Sequence, residues 1–258
     1  MIRAIFFDID GTLVSFKTHA VPESTKEALR SLHRQGVRLF IATGRAKGGL
    51  GVLKGLPFDG FITLNGQYCF DTADGVLYEN TILREDLEIL LEEIEKDPFP
   101  AGFVRREDKV FNFRDERVDA IHAITHNDNH PAGDVSHVLD EEIYQVMCFV
   151  DEEREKQMLG RMKNCTAARW HPSFCDISPL GGTKVRGIEV FLEHYGLDLS
   201  QAMAFGDGGN DFEMLEYVPN SVAMGNAPDN VKEVSSYVTE DVDHDGIVNA
   251  LKHFRLIV

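Results

Sequence analysis

The 258-residue chain has no apolar run approaching the roughly 20 residues of a membrane helix, so no helical anchor is expected. Its four cysteines (Cys69, Cys148, Cys165, Cys175) stand far apart, with no CxxC pair and no metal-finger spacing. That pattern sets aside a disulfide scaffold, and the thiols read as reduced and packed, as in a cytoplasmic protein. An apolar strand starts at residue 2, with no basic leader or small-residue cleavage site before it. Repeats and low-complexity tracts are also missing. Positive charge is scarce: 26 Lys and Arg against 43 Asp and Glu leave a net charge of −17. Nucleic acid and anionic membranes, which require a basic footprint, are therefore disfavoured as partners. An anionic small molecule needs local positive charge, from a metal ion, a basic side chain or helix amino ends. What the chain does have is 43% apolar residues, enough for a substantial core. Its length is close to the roughly 250–300 residues at which single cores divide.

The first ordered stretch, Ile2-Arg3-Ala4-Ile5-Phe6-Phe7-Asp8-Ile9-Asp10-Gly11-Thr12-Leu13, is apolar on both faces and ends in two acids, a glycine and a threonine. Such a run suits a central parallel strand covered by helices. If the chain stays extended, Asp8 and Asp10 project together from the strand's carboxyl end, where open α/β sheets hold ligands. Close carboxylates repel unless a cation or a shared proton intervenes. Gly11 would let the backbone turn away without a side chain blocking the site.

Further along, Val21-Pro22-Glu23-Ser24 opens a helix that Gly36 stops, and a second apolar strand from Val37 to Ala42 ends in Thr43-Gly44-Arg45. A short helix is expected over about Ala46 to Lys54. A strand from Phe58 to Leu64 follows, then a hairpin around Asp74-Gly75. From about Leu83 the character changes. An amphipathic Glu-rich helix leads into short strands and loops without parallel βα alternation, to about Phe174. Alternation resumes at Gly181-Gly182-Thr183-Lys184, and the strand Ala202 to Phe205 ends in Gly206-Asp207-Gly208-Gly209-Asn210-Asp211. The expected architecture is an α/β, Rossmann-like doubly wound parallel sheet over residues 1–82 and 180–258. An inserted α+β cap occupies residues 83–179, hinged by two crossings.

Three strand ends and one helix start thus offer polar groups to a single pocket. Asp8, Asp10 and Asp207 are hard oxygen ligands suited to Mg²⁺. Thr43 offers a hydroxyl, Gly44 a backbone N–H, Asn210 an amide, and Lys184, behind Thr183 as amino cap, a cation. Each has a plain alternative as a solvated or turn residue. The order and strand-end placement of all four argue for one site. A dinucleotide loop is not supported, because the run after Gly206 reaches Asp211 where GxGxxG requires glycine.

Asp8-Ile9-Asp10-Gly11-Thr12, Thr43-Gly44-Arg45, Lys184 and Gly206–Asp211 resemble the four motifs of haloacid dehalogenase-superfamily phosphatases. The insert between the second and third motifs resembles the Cof-type branch with a large α/β cap, and the wording around the motifs is similar to bacterial sugar-phosphate phosphatases. One departure is Val185 after the motif lysine, where the family often has glycine; here Gly187 comes later. The resemblance implies that Asp8 is the nucleophile, forming an aspartyl-phosphate, and that Asp10 is the general acid and base. It also implies Mg²⁺ held by Asp8, Asp207 and the backbone carbonyl of Asp10, with Asp211 supporting that shell. Thr43, Gly44, Lys184 and Asn210 would bind the phosphoryl group.

The expected substrate is a small phosphate ester, most readily a hexose phosphate, turned over by a monomer or weak homo-oligomer. A phosphotransferase or mutase would use the same residues. It is disfavoured because superfamily mutases usually carry a smaller helical cap near the first motif, and here only about thirty residues separate the first two motifs. A phosphatase of nucleotide or cofactor phosphates is the other alternative. A non-catalytic binding protein would be expected to lack the nucleophile or the acid, and both are present. Within the cap, Thr125-His126-Asn127-Asp128-Asn129-His130 reads as a sugar-facing stretch, a metal cluster or a solvated loop. Arg45 and Arg105-Arg106 are candidate substrate contacts, and Trp170 is either a sugar-stacking ring or core.

Overall fold

The computed structural model describes residues 1–125 and 132–258, with the side chains of residues 124, 125 and 170 left aside. The chain divides into two compact units. One comprises Met1–Arg45, Gly49–Glu79 and Thr183–Val258, the other Ala46–Gly48 and Asn80–Gly182.

The first unit begins with β1 (Ala4–Phe7), α1 (Glu23–Arg34), β2 (Arg38–Ala42), β3 (Gly60–Thr63), β4 (Tyr68–Asp71) and β5 (Gly75–Glu79). The expected short helix after β2 is a 3₁₀ helix, Lys47–Leu53, in a glycine-containing stretch that disfavours a regular α-helix. The second unit holds α2 (Arg84–Lys96), β6 (Ala101–Val104), β7 (Lys109–Phe111), α3 (Glu116–Thr125), β8 (Gln145–Cys148), α4 (Glu152–Arg161), β9 (Cys165–His171) and β10 (Phe174–Pro179). The chain then re-enters the first unit as α5 (Lys184–Tyr195), β11 (Ala202–Gly206), α6 (Phe212–Tyr217), β12 (Asn220–Ala223), α7 (Asp229–Val234), β13 (Tyr237–Val238) and α8 (Gly246–His253).

The first unit is an eight-stranded sheet in the order β13-β12-β11-β1-β2-β3-β4-β5. Strands β13 to β3 run parallel, and the β4–β5 hairpin pairs antiparallel at one edge. Alternate residues of the central strands feed two separate cores, as a strand's period of two requires. Ile5, Phe7, Leu39, Ile41, Met203 and Phe205 pack under α1 and α8. Ala4, Phe6, Phe40, Ala42, Ala202 and Ala204 face α5, α6 and α7. The alanines on that second face leave room for the helices to approach. Gly187 of α5 lies so close to β3 that a Cβ there would sit 2.4 Å from Ile62 Cγ2. The glycine displaced from the position after the motif lysine thus serves as a packing contact.

The second unit is a five-stranded antiparallel sheet, β7-β6-β8-β10-β9. Leu87 and Leu90 of α2 and Met158 of α4 pack with Phe103, Val146, Cys148, Cys175 and Ile177 of the sheet. The helices α3 and α4 lie where the sequence reading had only strands and loops. For α4 the signal was available: Asp151 caps it by accepting from Arg154 N, and Glu152, Glu153 and Glu155 occupy the first turn. All four cysteines are buried and unpaired. Among the described residues no helix is long and apolar enough to cross a membrane.

Candidate active site

From β1 the chain runs on to β2 and β3 on one side, while β11 and β12 extend the sheet on the other. The switch point of the fold is therefore between β1 and β11, and ligands of open parallel sheets bind beyond the carboxyl ends at such a point. Asp8 follows β1 and Asp207 follows β11. Asp8 continues the sheet ladder by donating its N–H to Phe205 O (3.0 Å), after which Leu13 N and Val14 N both return to Ile9 O. That turn ends the extended spacing. Asp8 and Asp10 are held by different partners, Lys184 and Arg45. Gly11 makes the turn possible with φ +85°, and a Cβ there would fall 2.2 Å from Asp207 Oδ2.

Lys184 stands at the start of α5, where the Thr183 side chain accepts from Arg186 N at 3.0 Å as the expected cap. Its ammonium lies 2.7 Å from Asp8 Oδ1 and 2.5 Å from Asp211 Oδ1. Asp211 Oδ2 accepts the backbone N–H groups of Asp207 and Gly208, both at 2.9 Å, and so pins the loop after β11. Asp207 accepts from Thr12 Oγ1 (2.8 Å) on one oxygen and from Asn226 Nδ2 (2.8 Å) on the other. Asp8, Asp207 and Asp211 are buried, and each offers a carboxylate oxygen within 4.8 Å of the others.

The electrostatics of this cluster are unbalanced. Burial, and then the Asp211 carboxylate, push the Asp8 carboxyl up to about 8, against the pull of Lys184. Asp207 is pushed up to about 7, by burial first, with the Thr12 hydrogen bond opposing and Asp211 adding to the rise. Burial works against the Lys184 ammonium, but the Asp211 and Asp8 carboxylates more than offset it and hold its pKa above the ordinary lysine value. Three carboxylates around one ammonium leave two negative charges uncompensated, which is the charge a divalent cation carries. The hard-oxygen donor set fits Mg²⁺ as well. Within it, Asp207 and Asp211 each have both oxygens engaged. Asp8 Oδ2 makes no hydrogen bond among the described residues.

Beside the carboxylates lies a group of polar, uncharged donors. Thr43 N bonds Ile62 O, Asn65 N bonds Thr43 O (2.9 Å), and Asn65 adopts the left-handed conformation at φ 53°. Asn210 Nδ2 reaches Asn65 Oδ1 at 3.1 Å, and a Cβ on Gly44 would come within 3.3 Å of the Asn65 amide. Thr43, Gly44 and Asn210 are thus brought together through Asn65. Asp10 is different: its carboxylate is gripped by Arg45, with Nη2 at 2.6 Å and Nε at 2.8 Å. Arg45 also donates from Nη1 to Gly49 O (2.9 Å), so as folded it binds an acid and a carbonyl.

In the second unit, Arg105 is paired with Asp108 (2.8 Å) and Glu141 (3.1 Å), and Arg106 with Glu142 (2.7 Å). The His126–His130 tract and the Trp170 side chain are outside the described residues. Asn65 and Asn226 have no place in the sequence analysis, and Thr12, quoted there within the first motif, has no role assigned. Asn65 and Asn226 both lie just beyond parallel strands, β3 and β12. The strand-end rule that singled out Asp8, Thr43 and Asp207 would have found them had it been applied to every strand.

Residues 5–251 match the haloacid dehalogenase-like hydrolases. The chain is 34% identical to YkrA of Bacillus subtilis (strain 168), whose name places it provisionally among phosphatases, over 99% of this chain and 98% of that one. Among solved structures, BT1666 of Bacteroides thetaiotaomicron, described as a phosphatase of the same superfamily, superposes with a TM-score of 0.91 and 36% identity, covering 100% of this chain and 96% of its own. BT4131, described as a subclass IIB sugar phosphatase, gives 0.85 and 40%, covering 99% and 100%. The chain therefore belongs to the haloacid dehalogenase-like hydrolases. Within that family it is a phosphatase of the Cof-type branch.

Proposed function

We propose that this phosphatase is Mg²⁺-dependent and hydrolyses small phosphorylated metabolites, hexose phosphates foremost, through a phosphorylated Asp8. The observation that carries the reading is the deficit of positive charge among Asp8, Asp207, Asp211 and Lys184, beside an Asp8 oxygen with no other partner. Asp8, Asp207 and the Asp10 carbonyl would hold the cation, which neutralises phosphoryl oxygens and carboxylates when bound. Asp211, whose oxygens are spent on Lys184 and two backbone N–H groups, orients the loop and the lysine.

In the first half-reaction Asp8 Oδ2 attacks phosphorus, the new P–O bond forming as the ester P–O bond breaks in line. Lys184, the Thr43 hydroxyl, the Gly44 N–H and the Asn210 amide hold the phosphoryl oxygens. Asp10 gives a proton to the departing alkoxide. In the second half-reaction a water attacks the phosphorus, loses its proton to Asp10, and returns Asp8 to the carboxylate while phosphate departs. Arg45 serves as a positioning residue for Asp10. The fork at 2.6 and 2.8 Å suits the carboxylate form that receives the proton from water, and it opens when Asp10 carries a proton for the leaving group.

The sugar ester is supported by the 40% identity to a sugar phosphatase over nearly the whole of both chains. A ribitylaminouracil phosphate as substrate has weaker support. YitU of Bacillus subtilis (strain 168), named as 5-amino-6-(5-phospho-D-ribitylamino)uracil phosphatase, is 26% identical over 97% of this chain and 96% of its own. The second unit, in this reading, selects the ester. The test is kcat/KM across a panel of sugar, nucleotide and cofactor phosphates, with and without Mg²⁺, for the native chain and Asp8→Asn. Turnover by Asp8→Asn at the native rate would rule out the covalent route. A flat profile across the panel would rule out the sugar preference.

A further inference from the structure

At the opposite edge of the same sheet, where β1, β2 and β3 begin, there is a cavity of about 320 Å³. Arg3, His33, Arg38, Asp59, Tyr195 and Leu197 contribute to its walls. From Arg3 to Asp8 the chain runs along β1, about 16 Å at roughly 3.3 Å per residue, so this cavity is well removed from the carboxylate cluster.

The charge here is the inverse of that at the carboxyl edge. Two arginines and a histidine face one carboxylate, in a chain whose net charge is −17. That carboxylate is already committed: Asp59 Oδ1 accepts from Arg38 Nη1 (3.0 Å) and Oδ2 from Leu39 N (2.8 Å). The Arg38 guanidinium lies 3.8 Å over the Tyr195 ring, which sets its plane. Its Nε and Nη2 remain without a protein partner among the described residues. The side chains of Arg3 and His33 likewise have none. A single solvated arginine on a surface carries no message. Two arginines lining one concavity, one of them pre-oriented by an aromatic face, make a recognition surface for planar or tetrahedral oxyanions.

We propose that this amino-edge cavity is a second ligand site, which binds a small oxyanion metabolite through Arg3 and Arg38 with His33 at its side. The ligand's anionic group is a phosphate or a carboxylate. The volume, at the lower end of the roughly 300–1,000 Å³ typical of ligand pockets, suits a small metabolite. Val37 and Leu197 provide apolar wall for its body. The site does not depend on the chemistry proposed for Asp8.

Backbone-amide NMR of the full chain, metal-free, titrated separately with inorganic phosphate and with succinate, tests the proposal. We expect saturable shifts at the amides of Gly36, Val37 and Arg38, resolved from any at Gly44 and Asn210. Arg3→Gln, which abandons no protein partner, should weaken binding at those amides at least tenfold and leave ester hydrolysis unchanged. Arg3→Gln with Arg38→Gln should abolish it; should the loss of the Tyr195 stack unfold that double variant, Arg3→Gln alone decides. Saturation by phosphate alone assigns a phosphate ester as the ligand class, and by succinate alone a carboxylate. Absence of saturable shifts at Gly36–Arg38 with both anions, or affinity there unchanged by Arg3→Gln, overturns the proposal.

Discussion

Two acid–base groupings at the carboxyl edge of the sheet are built from the same kinds of residue and differ in balance. Lys184 is buried between Asp8 and Asp211, with Asp207 close by, and the group is short of positive charge. Arg45 and Asp10 form a one-to-one pair, partly exposed, with side-chain exposures of 33% and 42%. Water screens the second pair and is withheld from the first. An exposed pair of that kind contributes about 0.2–1 kcal/mol to stability. Removing one partner from a buried grouping leaves charge with nothing to answer it, at a cost of about 3–5 kcal/mol. The contrast matches the proposed division between groups held rigid for binding and attack and a pair able to open for proton transfer.

The sharpest way to break this comparison is Asp8→Asn, which should lower kcat by at least about a thousandfold, since the proposed nucleophile would act in every turnover. The fold should survive, because the amide oxygen can still accept from Lys184 and one buried negative charge is removed; circular dichroism and Tm check that part. Lys184→Met should be next. It leaves three buried acids without their cation, and we expect a loss of about 3–5 kcal/mol in denaturant unfolding of the metal-free protein. Near-native stability would mean that Lys184 is not the cluster's counter-charge.

The charge deficit also fixes the sign of a pH effect. Asp8 and Asp207 have folded pKa values raised to about 8 and about 7, so the folded state binds more protons than the unfolded chain above pH 4. Stability of the metal-free protein should therefore fall as pH rises from about 4 to 8. The proposed Mg²⁺ would compete with those protons, and its stabilisation should grow over the same window. At a hundredfold excess over Kd a rise in Tm on the order of 5–10 °C is expected. Scanning calorimetry at pH 6 and pH 8, with Mg²⁺ or EDTA, reads both trends; a metal-free Tm that climbs with pH would contradict the cluster's electrostatics.

Arg45→Gln should have the smallest effect. With the pair half in water, stability should change by less than about 1 kcal/mol. We expect kcat to fall about tenfold with KM nearly unchanged, as for a residue that aims Asp10 and does not touch substrate. A rise in KM at constant kcat would instead return Arg45 to the substrate-binding role.

Much of this molecule can be read before any coordinates exist, because the relevant signals are local. Both-face apolar runs such as Ala4–Phe7 and Ala202–Phe205 announce buried parallel strands, and polar residues just past them announce the ligand edge. Thr183 could be recognised as a cap and Gly11 as a turn from residue type alone. Local pattern says less in the second unit, where α4 carries only Met158 as a fully buried residue.

Tertiary structure decided which groups share charge. Whether Lys184 would answer Asp8, Asp211 or solvent depends on distances between residues 176 and 27 positions apart, and no spacing rule encodes those. Asp10 is gripped by Arg45, 35 positions further along the chain. Asn65 and Asn226, unremarkable as letters, gained their places because β3 and β12 run parallel to β1 and end at the same rim. The reason is physical: secondary structure follows from forces acting within a few residues, whereas electrostatic balance and hydrogen-bond partnership depend on which distant segments the packed core brings together and shields from water.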